Sequence, residues 1–218
     1  MLQNSFFFMQ ATVLRETLTA EDMLAALIAA SIHDYEHPGV GNGFLINTNS
    51  PLALAYNDQS VLEHHSLAQA FRLLQQSQNN FLCNLSHEQW VEVRNAVIQM
   101  VLHTDMQKHL ASVSQFEELL LNKRTRGIWL DSKSKEDRRH LLNMQLHCAD
   151  LANPAKPRFL SLGWLDRVTN EFFNQGDQER KLGLAISPMM DRTKPQIELS
   201  QYAFIDVVVR PMFSIFAQ

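Results

Sequence analysis

From Met23 to Ile32 the chain is apolar nearly all the way round a helix. Such a helix belongs in an interior, so this one is expected at the centre of a helical domain. Thr19 opens it as a hydroxyl cap, with Glu21 and Asp22 as acids in its first turn. It ends on Ile32-His33-Asp34-Tyr35-Glu36-His37-Pro38-Gly39. Helical spacing puts His33 and His37 on one face. A rigid, buried helix that delivers an imidazole and a carboxylate outward is what metal ligation requires. A second such end, His147-Cys148-Ala149-Asp150, stands before Asn153-Pro154. Brought together, the two ends make a metal site that neither makes alone.

The rest of the chain agrees with a helical interior. Only seven glycines and seven prolines occur, few stretches alternate like strands, and helical periodicity is common. The fold class is therefore all-α. At 218 residues and 45% hydrophobic content, one domain or part of one is expected over residues 1–218. A net charge of -4 with no basic stripe argues against nucleic acid as a partner. Cys83 and Cys148 are read as reduced thiols, and the chain as cytoplasmic. No apolar run reaches the roughly 20 residues of a membrane span. Phe6-Phe7-Phe8-Met9 is read as a buried helix face.

Along the chain, residues 40–58 are a loop broken by a short helix at 51–56, and Ser60–Leu74 is a helix carrying Glu63, His64 and His65. Ser86 to Gln89 is a capping box before a helix from Trp90 to Thr104. Residues 122–134 are an exposed loop, and Ser134 caps a helix that ends at Pro154. Trp164–Phe173 is an amphipathic helix, Gly183–Pro195 a loop, and Ser200–Phe213 a closing helix ended or bent by Pro211. There is no internal repeat.

The candidates for chemistry are His33, Asp34, His37, Glu63, His64, His65 and Asp150. Imidazole with carboxylates suits Zn²⁺, and an oxygen-rich neighbouring position suits Mg²⁺ or Mn²⁺. One carboxylate can bridge two such ions about 4 Å apart, and Asp34 is the natural bridge. Plainer readings stand beside this one. His33-Asp34 can be a surface accident, His64-His65 a structural pair, Glu63 a solvated helix acid, and Asp150 a helix-end acid paired with an arginine.

Longer words in the chain point further. His33-Asp34-Tyr35-Glu36-His37-Pro38-Gly39, Tyr56-Asn57-Asp58, Ser60-Val61-Leu62-Glu63-His64-His65 and His147-Cys148-Ala149-Asp150-Leu151-Ala152-Asn153-Pro154 come in this order. So do Glu171-Phe172-Phe173, Ile186-Ser187-Pro188-Met189 and Ser200-Gln201 with Phe204-Ile205-Asp206. Together they resemble the catalytic domain of class I cyclic-nucleotide phosphodiesterases, closest to the cAMP-specific branch, over essentially all 218 residues. The resemblance implies a compact multi-helix, HD-type bundle lacking its first helices. It implies hydrolysis of a 3′,5′-cyclic nucleotide to the 5′-monophosphate. It implies a zinc-like site held by His33, Asp34 and Asp150, with Asp34 also reaching Mg²⁺ (or Mn²⁺). Glu63 is implied to orient metal-bound water and His37 to join the same polar network. Gln201 is implied to hold the purine edge, Phe204 and Val168 to sandwich the base, and Asn153 to add a polar contact.

The family's further motif, His-Asn-x-x-His, does not occur in these residues. Its first His protonates the leaving oxygen, and its second is a metal ligand. The chain is therefore expected to be a partial domain with impaired catalysis. Two alternatives are a short product that binds nucleotide or a partner without catalysis, and an unrelated helical metal phosphohydrolase. Oligomeric state is not readable from the sequence.

Overall fold

The computed structural model describes residues 1–218. It is helical throughout, with no strand. In chain order the helices are α1 (Leu2–Met9), α2 (Thr12–Thr17), α3 (Ala20–Ile32), α4 (Asn42–Asn47), α5 (Pro51–Ala55), α6 (Val61–Leu74) and α7 (His87–Leu102). They continue with α8 (His109–Thr125), α9 (Lys135–Asp150), α10 (Arg158–Lys181), α11 (Ile197–Ala203) and α12 (Arg210–Phe216). Two compact units result. The first holds Met1–Glu36, Glu63–Asp150 and Ile215–Gln218, and the second His37–Leu62 and Leu151–Ser214.

In the first unit, caps fix where helices begin. Thr19 Oγ1 accepts from the Asp22 amide at 3.1 Å, and the Asp22 carboxylate accepts from the Thr19 amide at 3.2 Å. Ser86 and Gln89 do the same for α7, at 3.2 and 3.0 Å. Each such cap contributes about 1 kcal/mol. From there α3 packs against α7, α9 and α1. The apolar α3 side chains it buries are small: Ala25, Ala26, Ala29 and Ala30, with Ile28 as the one large member.

The helix buried on every side is α9, not α3. Every residue from Leu141 to Ala149 is buried, including Asn143, Gln145 and His147. The outer face of α3 (Leu24, Leu27, Ile32) lines an open apolar groove with Leu2, Phe6 and Phe81. Partners reach part of the polar inventory of α9 inside, while Asn143 Oδ1, Gln145 Oε1 and His147 Nδ1 have none. Gln145 donates to the carbonyl and hydroxyl of Ser5, both at 3.0 Å, and Asn4 donates to the Ala149 carbonyl at 2.8 Å. Those bonds turn Ser5 and Met9 of α1 inward, one turn apart. Phe6 and Phe7 therefore point outward and are exposed, contrary to the buried face expected of Phe6–Met9. Cys83 and Cys148 are free thiols, as read.

Other boundaries also differ from expectation. The loop expected at 122–134 begins later, because α8 runs to Thr125. The helix expected to reach Pro154 stops at Asp150, and Asn153–Ala155 form a separate 3₁₀ turn. The segment at 164–173 is the middle of the 24-residue α10.

The second unit has its own small core of Val40, Leu45, Ala53, Val61 and Leu62. Ser50 caps α5, with Pro51 in its first turn. On α10 the Gln175 carbonyl oxygen accepts from the Gly41 amide at 2.8 Å, and its amide donates to Glu179 at 2.9 Å. Glu179 is buried and also receives the amide and hydroxyl of Ser187, each at 2.7 Å. Burial alone raises its pKa, but these donors outweigh burial and hold it below the usual carboxylate range. They also dock the 183–195 loop on α10. The loop comes so close that a Cβ on Gly176 lies 1.9 Å from the Met190 carbonyl oxygen. Between α11 and α12, Phe204–Val209 form a π-helical segment. It sits directly before Pro211, whose missing N–H and ring do not fit a regular α-turn.

Two consequences can be measured. Gly176→Ala is expected to cost about 2 kcal/mol or more, because the obstructing atom is backbone; equilibrium urea unfolding reads this directly. The second consequence concerns buried imidazoles. His109 Nδ1 and His147 Nε2 lie 2.8 Å apart, and both residues are buried. Burial, reinforced by His109, drives the His147 pKa from 6.5 to about 4, and burial lowers that of His109. The unfolded chain therefore takes up protons first as pH falls. The contribution of this pair to stability is expected to be level above pH 6.5 and to decline from pH 6.5 toward 4. In His147→Gln this slope is expected to flatten.

Candidate metal centre

His33 follows the last residue of α3 and remains in helical geometry, its amide donating to the Ala29 carbonyl at 3.0 Å. The imidazole Nδ1 lies 3.1 Å from the Ala30 carbonyl oxygen. A carbonyl only accepts, so Nδ1 carries the proton and Nε2 is the ring's outward nitrogen. That Nε2 lies 3.0 Å from Asp34 Oδ2 and 3.3 Å from Asp150 Oδ1. One donor atom from each of the three residues lies within 4.8 Å of the others. The side chains grade from cover to solvent: His33 is 12% exposed, Asp150 27% and Asp34 64%.

The electrostatics of this cluster favour positive charge. Burial pushes the His33 pKa down. Hydrogen bonds to Asp150 and then Asp34, together with their charges, outweigh it and raise the value to about 10. A proton thus sits where two carboxylates converge. Asp150 is the last residue of α9 and His33 follows α3, so two helix C-termini, each partly negative, close on the same point. One imidazole with two carboxylates is a donor set for Zn²⁺ or a harder divalent ion. Such an ion would take the place of the His33 proton. The residues therefore fit a metal. The arginine partner weighed for Asp150 is absent, since His33 is its ion-pair partner.

The turn after the ligands is gripped from α6. Tyr35 N–H closes on the Ile32 carbonyl at 3.0 Å, and Glu36 takes a positive φ of 61°. Ser66 Oγ donates to the Tyr35 carbonyl at 2.9 Å, and His65 Nε2 meets Glu36 Oε2 at 2.9 Å. Holding a side-chain-bearing residue at that φ requires such support. Ser66 was not singled out from sequence. His65 was, as part of a pair, and the structure gives it this bracing role. His64 is half-buried beside it, its pKa lowered by burial and by Lys108.

Other candidates lie elsewhere. Glu63 is half-buried in the first turn of α6, outside the three-donor group. His37 does not share a helical face with His33, because α3 has ended at Ile32. Its Nδ1 instead accepts from the Gly39 amide at 3.1 Å. His37 belongs to the second unit, with Asn153, Val168, Gln201 and Phe204. Asn153 opens the 3₁₀ turn after α9, and Val168 is on an exposed stretch of α10. Gln201 in α11 and Phe204 at the start of the π segment are both half-buried. Three residues apart, they are neighbours on one side of that rod.

The sequence profile of the 3′5′-cyclic nucleotide phosphodiesterases matches residues 1–218. The chain is 44% identical over 218 residues to "Probable 3′,5′-cyclic-AMP phosphodiesterase pde-4" of Caenorhabditis elegans, covering 99% of this chain and 32% of that protein. It is 44% identical over 219 residues to "3′,5′-cyclic-AMP phosphodiesterase 4C" of Rattus norvegicus, covering 99% of this chain and 40% of that protein. The protein of the same name from Mus musculus is also 44% identical, with 32% of its length covered. The chain therefore spans about a third to two fifths of the length of these curated relatives. With the helical fold and the His33–Asp34–Asp150 cluster already in place, the match over the whole chain settles the relationship: this chain belongs to the 3′5′-cyclic nucleotide phosphodiesterase family.

Proposed function

We propose that this chain is part of a metal-dependent hydrolase that opens a 3′,5′-cyclic nucleotide, cyclic AMP by preference, to the 5′-monophosphate. The observation that carries the reading is the convergence of His33, Asp34 and Asp150 in a chain matched to the family from end to end. The preference for cyclic AMP rests on the names of relatives at 44% identity. No helix is long and apolar enough to cross a membrane. We place the protein in the cytoplasm on its two free thiols.

His33, Asp34 and Asp150 hold a zinc-like ion, and Asp34 also serves a second ion, Mg²⁺ or Mn²⁺. Divalent cations there supply positive charge at the phosphodiester and acidify a water. The protein's own groups do the rest. The Ala30 carbonyl fixes the His33 tautomer. Asp34, the most exposed of the three, faces incoming substrate. Glu63 orients water, and His37 contributes to the polar surroundings. The Gln201 amide can pair in both directions with a purine edge, and Phe204 with Val168 offers faces for a flat base. Asn153 adds one polar contact. These base-binding roles rest on the matched words around each residue.

The 218 residues contain no His-Asn-x-x-His. The polypeptide 1–218 therefore has a three-donor set and no positioned acid for the leaving oxygen. This sets the experiment. Cyclic AMP hydrolysis by 1–218 is expected to be about 10²–10⁴ slower than by a chain that also carries that motif. His33→Ala and Asp150→Asn are each expected to abolish stoichiometric zinc binding, read by metal analysis after gel filtration. Tight zinc in 1–218 together with full turnover overturns the impairment. Zinc retained by both variants overturns the site.

A further inference from the structure

The first unit contains a second charged cluster, far along the same two helices. Asp22, in the first turn of α3, is buried. Its Oδ2 accepts from Arg138 Nε at 2.6 Å, and its Oδ1 lies 3.5 Å from Arg139 Nη1. Arg139, also buried, sends Nη2 to the Glu92 carbonyl at 3.1 Å and to the Glu92 carboxylate at 3.4 Å. Lys135 pairs with Glu92 as well. The N-terminal turns of α3, α7 and α9 are thus tied at one end, while His33 and Asp150 meet at the other.

The spacing is the same on both helices. Eleven residues separate Asp22 from His33, and eleven separate Arg139 from Asp150. Eleven residues are three turns, about 16 Å, and return to nearly the same face. The two helices run in the same direction, and contacts at both ends fix one register. The surface between them does little to fix it. The buried face of α3 is mostly alanine, which offers few knobs to resist a slide. A slip of one residue moves a ligand about 1.5 Å and turns it by about 100°.

A buried ion pair adds little net stability, because desolvation offsets its Coulomb gain, but breaking it strands a charge. That asymmetry makes it a device for register. We propose that Asp22, Arg138 and Arg139 are positioning residues for the metal centre: they lock α3 against α9 so that His33 and Asp150 stay within ligating distance. The proposal rests on the metal-site reading given above.

The test uses Co²⁺ alone as probe, added to purified 1–218, with affinity and visible absorption as readouts. In the double variant Asp22→Asn/Arg139→Met, the asparagine keeps a cap acceptor while the charge pairing that makes the register lock is lost. Its Co²⁺ affinity is expected to fall at least about tenfold, with an altered absorption band and unchanged helical circular dichroism. Thr19→Ala, which removes only the cap hydroxyl, is expected to lower the melting temperature and leave Co²⁺ binding as it was. Arg139→Lys keeps the charge, and so the fold, but loses the fork to Asp22 and Glu92. It is expected to weaken Co²⁺ binding about threefold. Wild-type affinity and spectrum in the double variant overturn the lock. If the double variant does not fold, wild-type binding by Arg139→Lys overturns it. Wild-type protein that takes up no Co²⁺, or uptake that survives His33→Ala, overturns the metal-site reading and the lock with it.

Discussion

Two carboxylates and an imidazole nitrogen converge where two helices end, and that concentration of negative charge governs the centre. Left to itself, the arrangement is costly. Asp34 and Asp150 repel, and the free carbonyls of two helix C-termini add to the field. The fold meets this by keeping a positive charge between them: a proton on His33, or a cation in its place. The exposure gradient serves the same end. The imidazole is covered and held by Ala30, while Asp34 remains in water and available. A cluster with all three members buried needs its ion in order to fold. One fully exposed has no fixed geometry to offer.

Local chemistry was the legible part of the fold. Caps at Thr19, Ser86 and Ser134 involve residues three apart, so a sequence states them completely. What burial decides was harder to see. Gln145 and His147 are interior because Ser5 and His109 come to meet them from distant segments, and Asn143 lies 3.4 Å from His103. The outward Phe6 and Phe7 are the converse, apolar residues displaced by a serine that has a partner inside. Helix α8 carried no signal for its length. Its buried members are His109, Val113 and Phe116, too sparse to mark seventeen residues.

At the centre, the adjacency of His33 and Asp34 could be read directly. Asp150 lies 116 residues beyond Asp34; its place at a second helix end made it a candidate, plainer readings stood beside that one, and the longer family words attached it to the site. His37 was misassigned to a shared helical face because its distance from His33 was counted in helical turns. The chain leaves the helix first, with Glu36 at positive φ, and Pro38-Gly39 was the available sign of that. The grip from Ser66 and the lock from Arg138 and Arg139 were invisible for one reason. Each is a contact between segments far apart in sequence, and neither partner is unusual in its own segment.

The last turns of α9 show how the charge at the centre is kept simple. His147 precedes Asp150 by one turn and Cys148 by two residues, so either could add a charge at close range. Burial prevents both. It drives the imidazole pKa to about 4 and the thiol to about 12, so at neutral pH each is uncharged. The interior that makes α9 read as inconsistent in sequence, with amides, an imidazole and a thiol among leucines, thus has an electrostatic effect. Along that turn Asp150 alone projects charge toward His33, and a cation arriving there meets two carboxylates with no competing cation from the last turn of the helix that presents one of them.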